Sequence, residues 1–555
     1  MAVNLFQSMK KIVLFVCVCL IASLSVSFKP GEDELSIKNK AKAELAKQKL
    51  YGGQYKSALA MFNEILVDHP NNGSMLYYAA DCNYKLGDKD KAQQLLEKSK
   101  TAAKPSAEAF LLLGQIYEAD GKTDQALEEY NTYKTKATPA DLKDSNVDLY
   151  VSHCNNAKAM IAKPADVKVE NLGSNVNSKF DDKGPAITAD GKKLFFNSRR
   201  PQGTDDPVDV EGDGKFFENV YYTTWDTVKQ MWNEVDEVPG QVNQLGTHTA
   251  CTGISPDGKQ IFIYKNDLKD PNARGGDIYV SKVMNNKWKH PEPFGKPVNT
   301  SYWEGGACIS PDGKTLYFVS ENPKYGKEKG FGGADIWMVQ RISKTEWGKP
   351  VNLGPEVNSS YQEAGIFLAP DGKTLFFCSN NPNSMGDYDI FRTINENGKW
   401  SKPENVGYPI NSVRRDGPLV LAATAKYAYF SSDRPGGFGE NDIYRADLAN
   451  YSLLDKGFAK RTGDALSIMT GLVRDGFEGK PIEGAEVSFM NEAGEKISSV
   501  TTNENGEYHI TLKGGVTYSV KIQKDGFKTA EEKVNLPAAK GGDAYKLEKQ
   551  FLLNK

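Results

Sequence analysis

The chain has 555 residues, with 69 Lys and Arg against 72 Asp and Glu, and a net charge of −3. This balance excludes the strongly basic surface that nucleic-acid binding or adhesion to an anionic membrane requires. Hydrophobic residues make up 39% of the chain, and 51 Gly and 26 Pro predict many turns. The length allows about three or four globular domains.

Residues 1–27 are predicted to be a signal peptide. Lys10 and Lys11 precede an apolar run, Ile12–Val26, and the small Ser25 and Ser27 suit cleavage after Ser27. The run of about 15 residues is short for a membrane span. An uncleaved anchor helix is the alternative, and the second methionine of the chain is an alternative start. The sequence therefore predicts export to the periplasm.

The cysteines do not predict a disulfide framework or a metal site. Cys17 and Cys19 lie inside the apolar run, and the Val residue before each is larger than a lipid-attachment motif normally accepts. The other five show no CxxC or Cys/His zinc spacing. We expect them to be buried as small apolar side chains; they are Cys82, Cys154, Cys251, Cys308 and Cys378.

Residues 36–163 carry a repeat with a period of 34, most visible at Ala58, Ala92 and Ala126. Gly53, Gly87 and Gly121 recur with the same spacing. The pattern resembles the tetratricopeptide (TPR) repeat, in which small residues let two helices pack closely and stacked units form a superhelix. The stretch 144–162 is predicted to be a terminal capping helix.

The TPR resemblance implies a concave groove that binds a peptide or protein segment. The alternative for each groove residue is an ordinary solvated helix face. The groove positions implied by the repeat are Tyr77, Asp81, Tyr84 and Lys85 in the second unit, and Glu108, Leu111, Gln115 and Glu118 in the third.

Residues 166–458 repeat the phrase "SPDGKTLYF" in several forms. Each copy predicts a turn followed by a strand: Pro restrains φ, Asp caps the turn and Gly adopts positive φ. A second strand beginning Asp-Ile, a Trp and a Val-Asn or Ile-Asn pair complete the unit. The turn Asp recurs four times, and a fifth copy, Ala423–Ser432, lacks both Asp and Gly; the four are Asp190, Asp257, Asp312 and Asp371.

A repeat of several short strands is typical of a β-propeller blade. The units resemble the PD40 or WD40-like repeats of TolB-type propellers. Five units predict five blades, with a sixth, divergent blade as the alternative, and the strand Val167–Leu172 could close the ring onto the last blade. The Trp of each unit is expected to pack between blades.

Two chemical alternatives arise in this region. The phrase lacks the spacing of a sialidase Asp box, and Arg199 and Arg434 are interpreted as equivalent strand ends in the repeat. An acidic stretch from 205 to 219 partly matches an EF-hand loop but has no carboxylate at its twelfth position. It is a weak calcium candidate, and a solvated acidic insertion is preferred; its carboxylates are Asp209, Glu211, Asp213 and Glu218.

Residues 468–555 predict a small β-sandwich, because short alternating strands are separated by Gly-containing turns. Gly471, Pro481, Gly484, Gly506 and Tyr508 follow an order that resembles the carboxypeptidase regulatory-like domain. The resemblance implies no catalytic residues. The fold class is therefore multidomain: an α-helical TPR solenoid, a β-propeller and a small β-sandwich.

The domain order resembles the PorE-like envelope proteins of Bacteroidetes, which are associated with type IX secretion and gliding. The resemblance implies a non-enzymatic scaffold or adaptor, in the periplasm and associated with the outer membrane, whose partners are envelope or secretion-system proteins. No cofactor is expected. That group usually continues into an OmpA-like domain that holds peptidoglycan, whereas this sequence ends at Lys555, so the resemblance does not carry peptidoglycan anchoring over to it. The oligomeric state stays open.

The alternative function is a carbohydrate- or peptide-processing enzyme, or a binder, that uses the central cleft of the propeller. The five histidines are far apart in the sequence, and no GxSxG elbow or phosphate-binding P-loop is present. The sequence therefore favours the non-enzymatic interpretation.

The leader generates the first prediction. Mass spectrometry of the mature protein should find an N-terminus immediately after Ser27, because the small residues at 25 and 27 suit signal peptidase. A lipid on Cys17 or an intact N-terminal Met would contradict it.

Overall fold

The computed structural model describes residues 34–203, 205–209, 214–265, 276–343, 345–454, 466–538 and 544–555. The predicted signal peptide, 1–27, lies outside these ranges. The chain divides into two compact units, one comprising Met1–Tyr117 with Glu128–Ser145 and the other Glu118–Leu127 with Asn146–Lys555.

Helices dominate the described residues up to position 161. None of the helices in the described ranges combines the length and apolarity that crossing a membrane requires. They are α1 (Ile37–Tyr51), α2 (Tyr55–Asp68), α3 (Gly73–Lys85), α4 (Lys89–Lys100), α5 (Ala107–Ala119), α6 (Thr123–Lys136), α7 (Pro139–Asp144) and α8 (Val147–Ile161), and α8 belongs to the second unit.

The small residues of the 34-residue repeat are buried, which confirms the predicted helix packing. Ala58 and Ala92 have no exposed surface. Gly114 is small for a specific reason, since a Cβ added there would lie 2.5 Å from Cε1 of Tyr130. Tyr130 is itself fully buried. The third unit therefore has glycine at position 114, where a methyl group would collide with the aromatic ring on the facing helix.

Five antiparallel sheets form the five blades of a propeller, and the fold predicted from the phrase is confirmed. The first blade contains β2 (Asp182–Ile187), β3 (Lys193–Ser198), β4 (Asn219–Asp226), β5 (Met231–Trp232) and β6 (Asp236–Glu237). The second contains β7 (Ala250–Ile254), β8 (Gln260–Lys265), β9 (Asp277–Met284), β10 (Lys287–Trp288) and β11 (Glu292–Pro293). The third contains β12 (Glu304–Ile309), β13 (Thr315–Ser320), the hairpin β14 (Lys324–Tyr325) and β15 (Glu328–Lys329), β16 (Asp335–Gln340) and β17 (Val351–Asn352).

The ring closes by strand exchange between the two ends of the propeller. The fourth blade contains β18 (Glu363–Leu368), β19 (Thr374–Ser379), β20 (Asp389–Glu396), β21 (Lys399–Trp400) and β22 (Glu404–Asn405), and the fifth contains β23 (Asp416–Leu421), β24 (Tyr427–Ser432) and β25 (Asp442–Asp447). The early strand β1 (Lys168–Asn171) pairs with β25 and completes the last blade, as predicted. The first strand of each blade contacts that of the next, and β23 contacts β2.

At one position in each of two blades, the first strand lies so close to the next blade that a side chain would not fit. A Cβ added to Gly253 would lie 2.4 Å from the carbonyl oxygen of Ala307 in the next blade. One added to Gly365 would lie 3.0 Å from Cβ of Pro418, again in the next blade. A bulge interrupts the register of the first strand in every blade. Glycine and bulge together let the strands converge at the propeller axis.

The recurring tryptophans pack between blades, as predicted. Trp288 of the second blade meets Phe195 of the first edge-on, with ring centroids 6.0 Å apart. Trp232 contacts Tyr429 of the fifth blade in the same way, at 5.6 Å. These contacts bury aromatic surface on both partners and stabilise the ring.

The turns of the phrase have the geometry expected from their residues. In the third blade, the Asp312 carboxylate accepts the backbone N–H of Lys314 at 3.0 Å and the hydroxyl of Ser310 at 2.5 Å. Gly313 has a φ of +68°. In the degenerate fifth copy, the Thr424 hydroxyl accepts the backbone N–H of Lys426 at 3.4 Å, and Ala425 adopts a φ of +47°. The phrase therefore builds scaffold.

The C-terminal residues form the predicted sandwich of two sheets, ordered β29-β26-β32, with β33 also on β26, and β28-β27-β30-β31. Apolar residues from both sheets, including Val473, Phe489 and Tyr508, share one buried cluster. The strands are β26 (Leu466–Asp475), β27 (Glu486–Met490), β28 (Lys496–Thr501), β29 (Glu507–Lys513), β30 (Val516–Gln523), β31 (Ala530–Leu536), β32 (Lys546–Glu548) and β33 (Phe551–Leu553).

Gly313→Ala tests the scaffold role of the phrase. No atom lies within 4 Å of an added Cβ, so the cost is backbone strain alone, about 1 to 2 kcal/mol, seen as a lower unfolding temperature of the propeller. Asp312→Ala should cost about 1 kcal/mol through loss of the turn cap.

Gly203→Ala is the matched control, because it also adds a methyl group in open space but has no left-handed φ. Equal unfolding temperatures for Gly313→Ala and Gly203→Ala would contradict the predicted strain. Loss of partner binding by Asp312→Ala at an unchanged unfolding temperature would give the turn a functional role instead.

Candidate functional site

The first candidate site lies in the first unit, on α3 and α5. Tyr77 and Asp81 are half-buried on α3, one helical turn apart. Asp81 forms an ion pair with Lys85, with 3.7 Å between Oδ1 and Nζ. Burial raises the pKa of the Tyr77 hydroxyl, and the carboxylates of Asp81 and Glu108 raise it further. The predicted Tyr77, Asp81 and Glu108 therefore lie close enough together for both carboxylates to act on the tyrosine hydroxyl.

Two further tyrosines extend this neighbourhood. The Tyr78 ring lies 5.0 Å from that of Tyr77 and stacks on Phe62 at 5.3 Å. Burial raises the pKa of Tyr78, and the neighbouring Tyr51 and Glu108 raise it further. Tyr51 is 76% exposed. We call the set Tyr51, Tyr77, Tyr78, Asp81 and Glu108 the tyrosine surface.

The other predicted groove residues lie on the same two helices. Tyr84, Leu111 and Gln115 are half-buried, and Lys85 is exposed. Glu118 falls in the second unit, where its carboxylate lies 3.8 Å from Nδ1 of His153 on α8. A second contact of His153 runs from Nε2 to the carbonyl oxygen of Asn381, at 3.1 Å. Glu118 thus takes part in a contact with His153 inside the second unit.

The repeat phase identified Tyr77 but missed Tyr51 and Tyr78. Tyr51 is the last residue of α1, in the first unit, for which no groove position was assigned. Tyr78 follows a groove position, and its stack on Phe62 gives it a packing role as well. The usable signal was the presence of three tyrosines on α3 and one at the end of α1.

A second cluster of charged residues lies at the start of the first strand of the propeller. The Lys183 Nζ is 2.7 Å from Oδ2 of Asp181 and 3.8 Å from Oε1 of Glu218. Burial raises the pKa of Glu218, and the lysine opposes that shift. Asn441 donates to the other Asp181 oxygen at 2.8 Å. The cluster joins the first and fifth blades by polar contacts.

Only part of the calcium candidate falls within the described residues, because Glu211 and Asp213 lie outside them. Asp209 faces His248, with 3.3 Å from Oδ2 to Nε2, whereas Glu218 faces Lys183. Among the described residues, no group of three His, Cys, Asp or Glu side chains is placed to hold a metal ion. Calcium binding by this loop stays a prediction.

The arginine equivalence inferred from the sequence is wrong by one residue. Arg434 donates to the buried Asp416 at 2.6 Å, and its counterpart in the first blade is Arg200, which donates to Asp182 at 2.7 Å. Arg199 instead donates through Nε to the Phe216 carbonyl oxygen at 2.8 Å. Arg200 and Arg434 neutralise buried aspartates and hold the blades, which is a structural role.

A buried acid at the start of the first strand recurs in four blades and was missed in the sequence. In each case a Ser or Thr four residues earlier donates its hydroxyl to the carboxylate. This spacing was the available signal. The pairs are Ser178 with Asp182, Thr300 with Glu304, Ser359 with Glu363, and Ser412 with Asp416.

The five cysteines beyond residue 27 are buried and unbridged, as expected. Burial raises the pKa of Cys82, Cys251 and Cys308 to about 12. Their thiolate forms are disfavoured, so these thiols are unreactive at neutral pH.

Two family models match parts of the chain. Residues 468–545 match the carboxypeptidase regulatory-like domain, and residues 52–133 match subunit 3 of the anaphase-promoting complex, or cyclosome, which is a TPR-like match. No curated protein matches the sequence. The chain therefore contains a TPR-like region and a carboxypeptidase regulatory-like domain.

Each of three similar solved structures covers only part of the chain. The type III secretion chaperone SycD of Yersinia enterocolitica, in complex with a peptide of the translocator YopD, is 13% identical over 22% of this chain and 97% of its own, with a TM-score of 0.21. A TolB protein of Agrobacterium tumefaciens is 15% identical over 63% of this chain and 98% of its own, with a TM-score of 0.29. A glycoside hydrolase is 7% identical over 53% of this chain and 94% of its own, with a TM-score of 0.35.

Glu363 generates a pH prediction. Burial raises its pKa from the ordinary 4.5 to about 7. The folded state therefore binds this proton more tightly than the unfolded state, and its contribution to stability is present below pH 4.5 and lost as pH rises through 7. The loss is roughly 3 kcal/mol, because a tenfold difference in proton affinity is worth about 1.4 kcal/mol.

Glu363→Gln should flatten this decline, measured as the unfolding temperature of the propeller from pH 4.5 to 8. Asp416→Asn is the contrasting variant, because it removes the negative partner of Arg434 and should destabilise the propeller across the whole range. If Glu363→Gln shows the same fall in unfolding temperature with pH as the wild type, another titrating group causes that fall.

Proposed function

We propose that the chain is a non-enzymatic adaptor of the cell envelope that binds a segment of a partner protein on the tyrosine surface. The observation that carries the proposal is the combination of exposed Tyr51 with half-buried Tyr77, Asp81 and Glu108. Tyrosines restrained by packing lose little entropy on binding and offer both apolar area and a hydrogen-bonding hydroxyl.

The charge of the tyrosine surface indicates the type of segment. Asp81 and Glu108 carry two carboxylates beside the rings, and Lys85 offsets one of them. A partner segment with apolar or aromatic side chains and at least one basic group would complement this arrangement. An acidic segment would meet repulsion from Glu108.

The proposed location is the periplasm, in association with the outer membrane. The leader at 1–27 and the resemblance of the domain order to PorE-like proteins support it. The same resemblance supports a partner in type IX secretion or in another envelope complex. Fractionation of cells followed by immunodetection tests the location separately from the partner.

The second candidate is an enzyme or carbohydrate binder that uses the propeller axis, and the buried Glu218 beside Asp181 and Lys183 is the observation in its favour. The contacts of these groups argue against it, because Lys183 pairs with Asp181 at 2.7 Å and Asn441 donates to the other Asp181 oxygen at 2.8 Å. The adaptor is the better supported function.

Tyr51→Ala tests the tyrosine surface with little risk to the fold, because the side chain is 76% exposed. We expect a loss of at least about tenfold in affinity for the partner, as removal of an aromatic anchor typically produces. Tyr77→Phe should have a smaller effect, since it keeps the ring and removes only the hydroxyl.

Val67→Ala is the matched control, because Val67 on α2 is 80% exposed and lies outside the tyrosine surface. Quantitative cross-linking in envelope fractions, with circular dichroism to check folding, compares the three variants. Equal partner recovery from Tyr51→Ala and Val67→Ala would move the binding site elsewhere on the chain.

A further inference from the structure

The sandwich of the second unit rests on one face of the propeller. Two hydrogen bonds join the turns of the fifth, first and second blades. The Ala423 N–H of the fifth blade donates to the Ala189 carbonyl oxygen of the first at 2.8 Å. The Ala189 N–H donates in turn to the Pro256 carbonyl oxygen of the second blade at 3.3 Å. Ile468 of β26 packs on Ala189 and Ala423. An ion pair from Lys259 Nζ to Glu507 Oε1, at 2.7 Å, joins the second blade to β29.

A cavity of about 150 Å³ lies beside this contact, and both domains line it. The propeller contributes Lys192 and Lys193, and the sandwich contributes His509 and Lys546. A cavity of this size holds a benzene molecule in another protein, so about five or six heavy atoms fit. The lining here is polar and charged, which suits a polar ligand.

His509 lines this cavity and carries an unsatisfied nitrogen. Its Nε2 atom is buried and has no hydrogen-bond partner among the described residues. Burial lowers the pKa of His509 to about 4, against the attraction of Asp257 and Asp190. The imidazole is therefore neutral at pH 7. A buried polar atom without a partner is unfavourable, and a ligand that forms a hydrogen bond with it would remove that cost.

The charge that the cavity offers to a ligand is positive. The Asp190 Oδ1 is engaged within its own turn by the Thr188 hydroxyl at 2.6 Å and the Lys192 N–H at 3.0 Å. Asp257 Oδ1 is engaged in the same way in the next blade. Three lysines, Lys192, Lys193 and Lys546, contribute to the lining, so the ammonium groups outnumber the two carboxylates.

We propose that this cavity binds a small oxyanion of the size of phosphate, either free or as a phosphomonoester. The lysines of both domains supply charge-assisted hydrogen bonds to its oxygens, and His509 Nε2 donates one more. Such an anion bridges the sandwich and the propeller, so its binding strengthens the contact between these domains. The site is separate from the tyrosine surface and does not depend on the adaptor function.

Isothermal titration of the full mature chain with inorganic phosphate, in a phosphate-free buffer at constant ionic strength, tests the proposal. Glycerol phosphate is the second ligand and chloride the negative control. We expect saturable binding of phosphate and none of chloride. Binding of free phosphate alone would identify a closed inorganic site, whereas equal binding of glycerol phosphate would indicate an open site for a phosphomonoester headgroup.

Lys546→Met and His509→Ala should each weaken phosphate binding at least tenfold. Lys546 is exposed, so its variant should stay folded even if His509→Ala does not. Lys402→Met, which removes an exposed lysine of the fourth blade, is the matched control and should bind as the wild type does. Absence of saturable phosphate binding to the wild type, or equal binding by Lys546→Met and Lys402→Met, would overturn the proposal.

Discussion

The propeller depends on the convergence of five first strands around one axis. That convergence requires a glycine where neighbouring blades meet, because a methyl group at Gly253 or Gly365 would contact the next blade at 3.0 Å or less. The bulge in each first strand supplies the curvature. Since β1 from the start of the propeller region completes the last blade, the ring has no open edge between its ends.

Charged groups also meet where the first strands begin. They neutralise each other in pairs: Arg200 with Asp182, Arg434 with Asp416, and Lys183 with Asp181. Blades three and four use Glu and hydroxyl groups in place of the Asp–Arg pair, and Tyr325 is one of the donors to Glu304, at 3.3 Å. These buried charges therefore hold the blades together through ion pairs and hydrogen bonds.

Repeats made the fold predictable, and long-range contacts made the sites less so. Ala58, Ala92 and Asp312 recur in phase, so their roles follow from spacing alone. The equivalence of Arg199 with Arg434 failed because two adjacent arginines occupy that strand end. The proline that follows both Arg200 and Arg434 was the available signal, and the hydrogen bond to Asp182 agrees with it. Nothing near His509 in the sequence indicates that it faces turns at Asp190 and Asp257, far earlier in the chain.

Departures from the repeated phrase mark the face that receives the sandwich. Blades two, three and four have Pro256, Pro311 and Pro370 in the turn, whereas blades one and five have Ala189 and Ala423. Proline has no backbone N–H, and both alanines use that group to donate to the neighbouring turn. Their small side chains also accept Ile468. Alanine in place of proline at these two turns therefore permits both the hydrogen bonds between neighbouring turns and the contact with the sandwich.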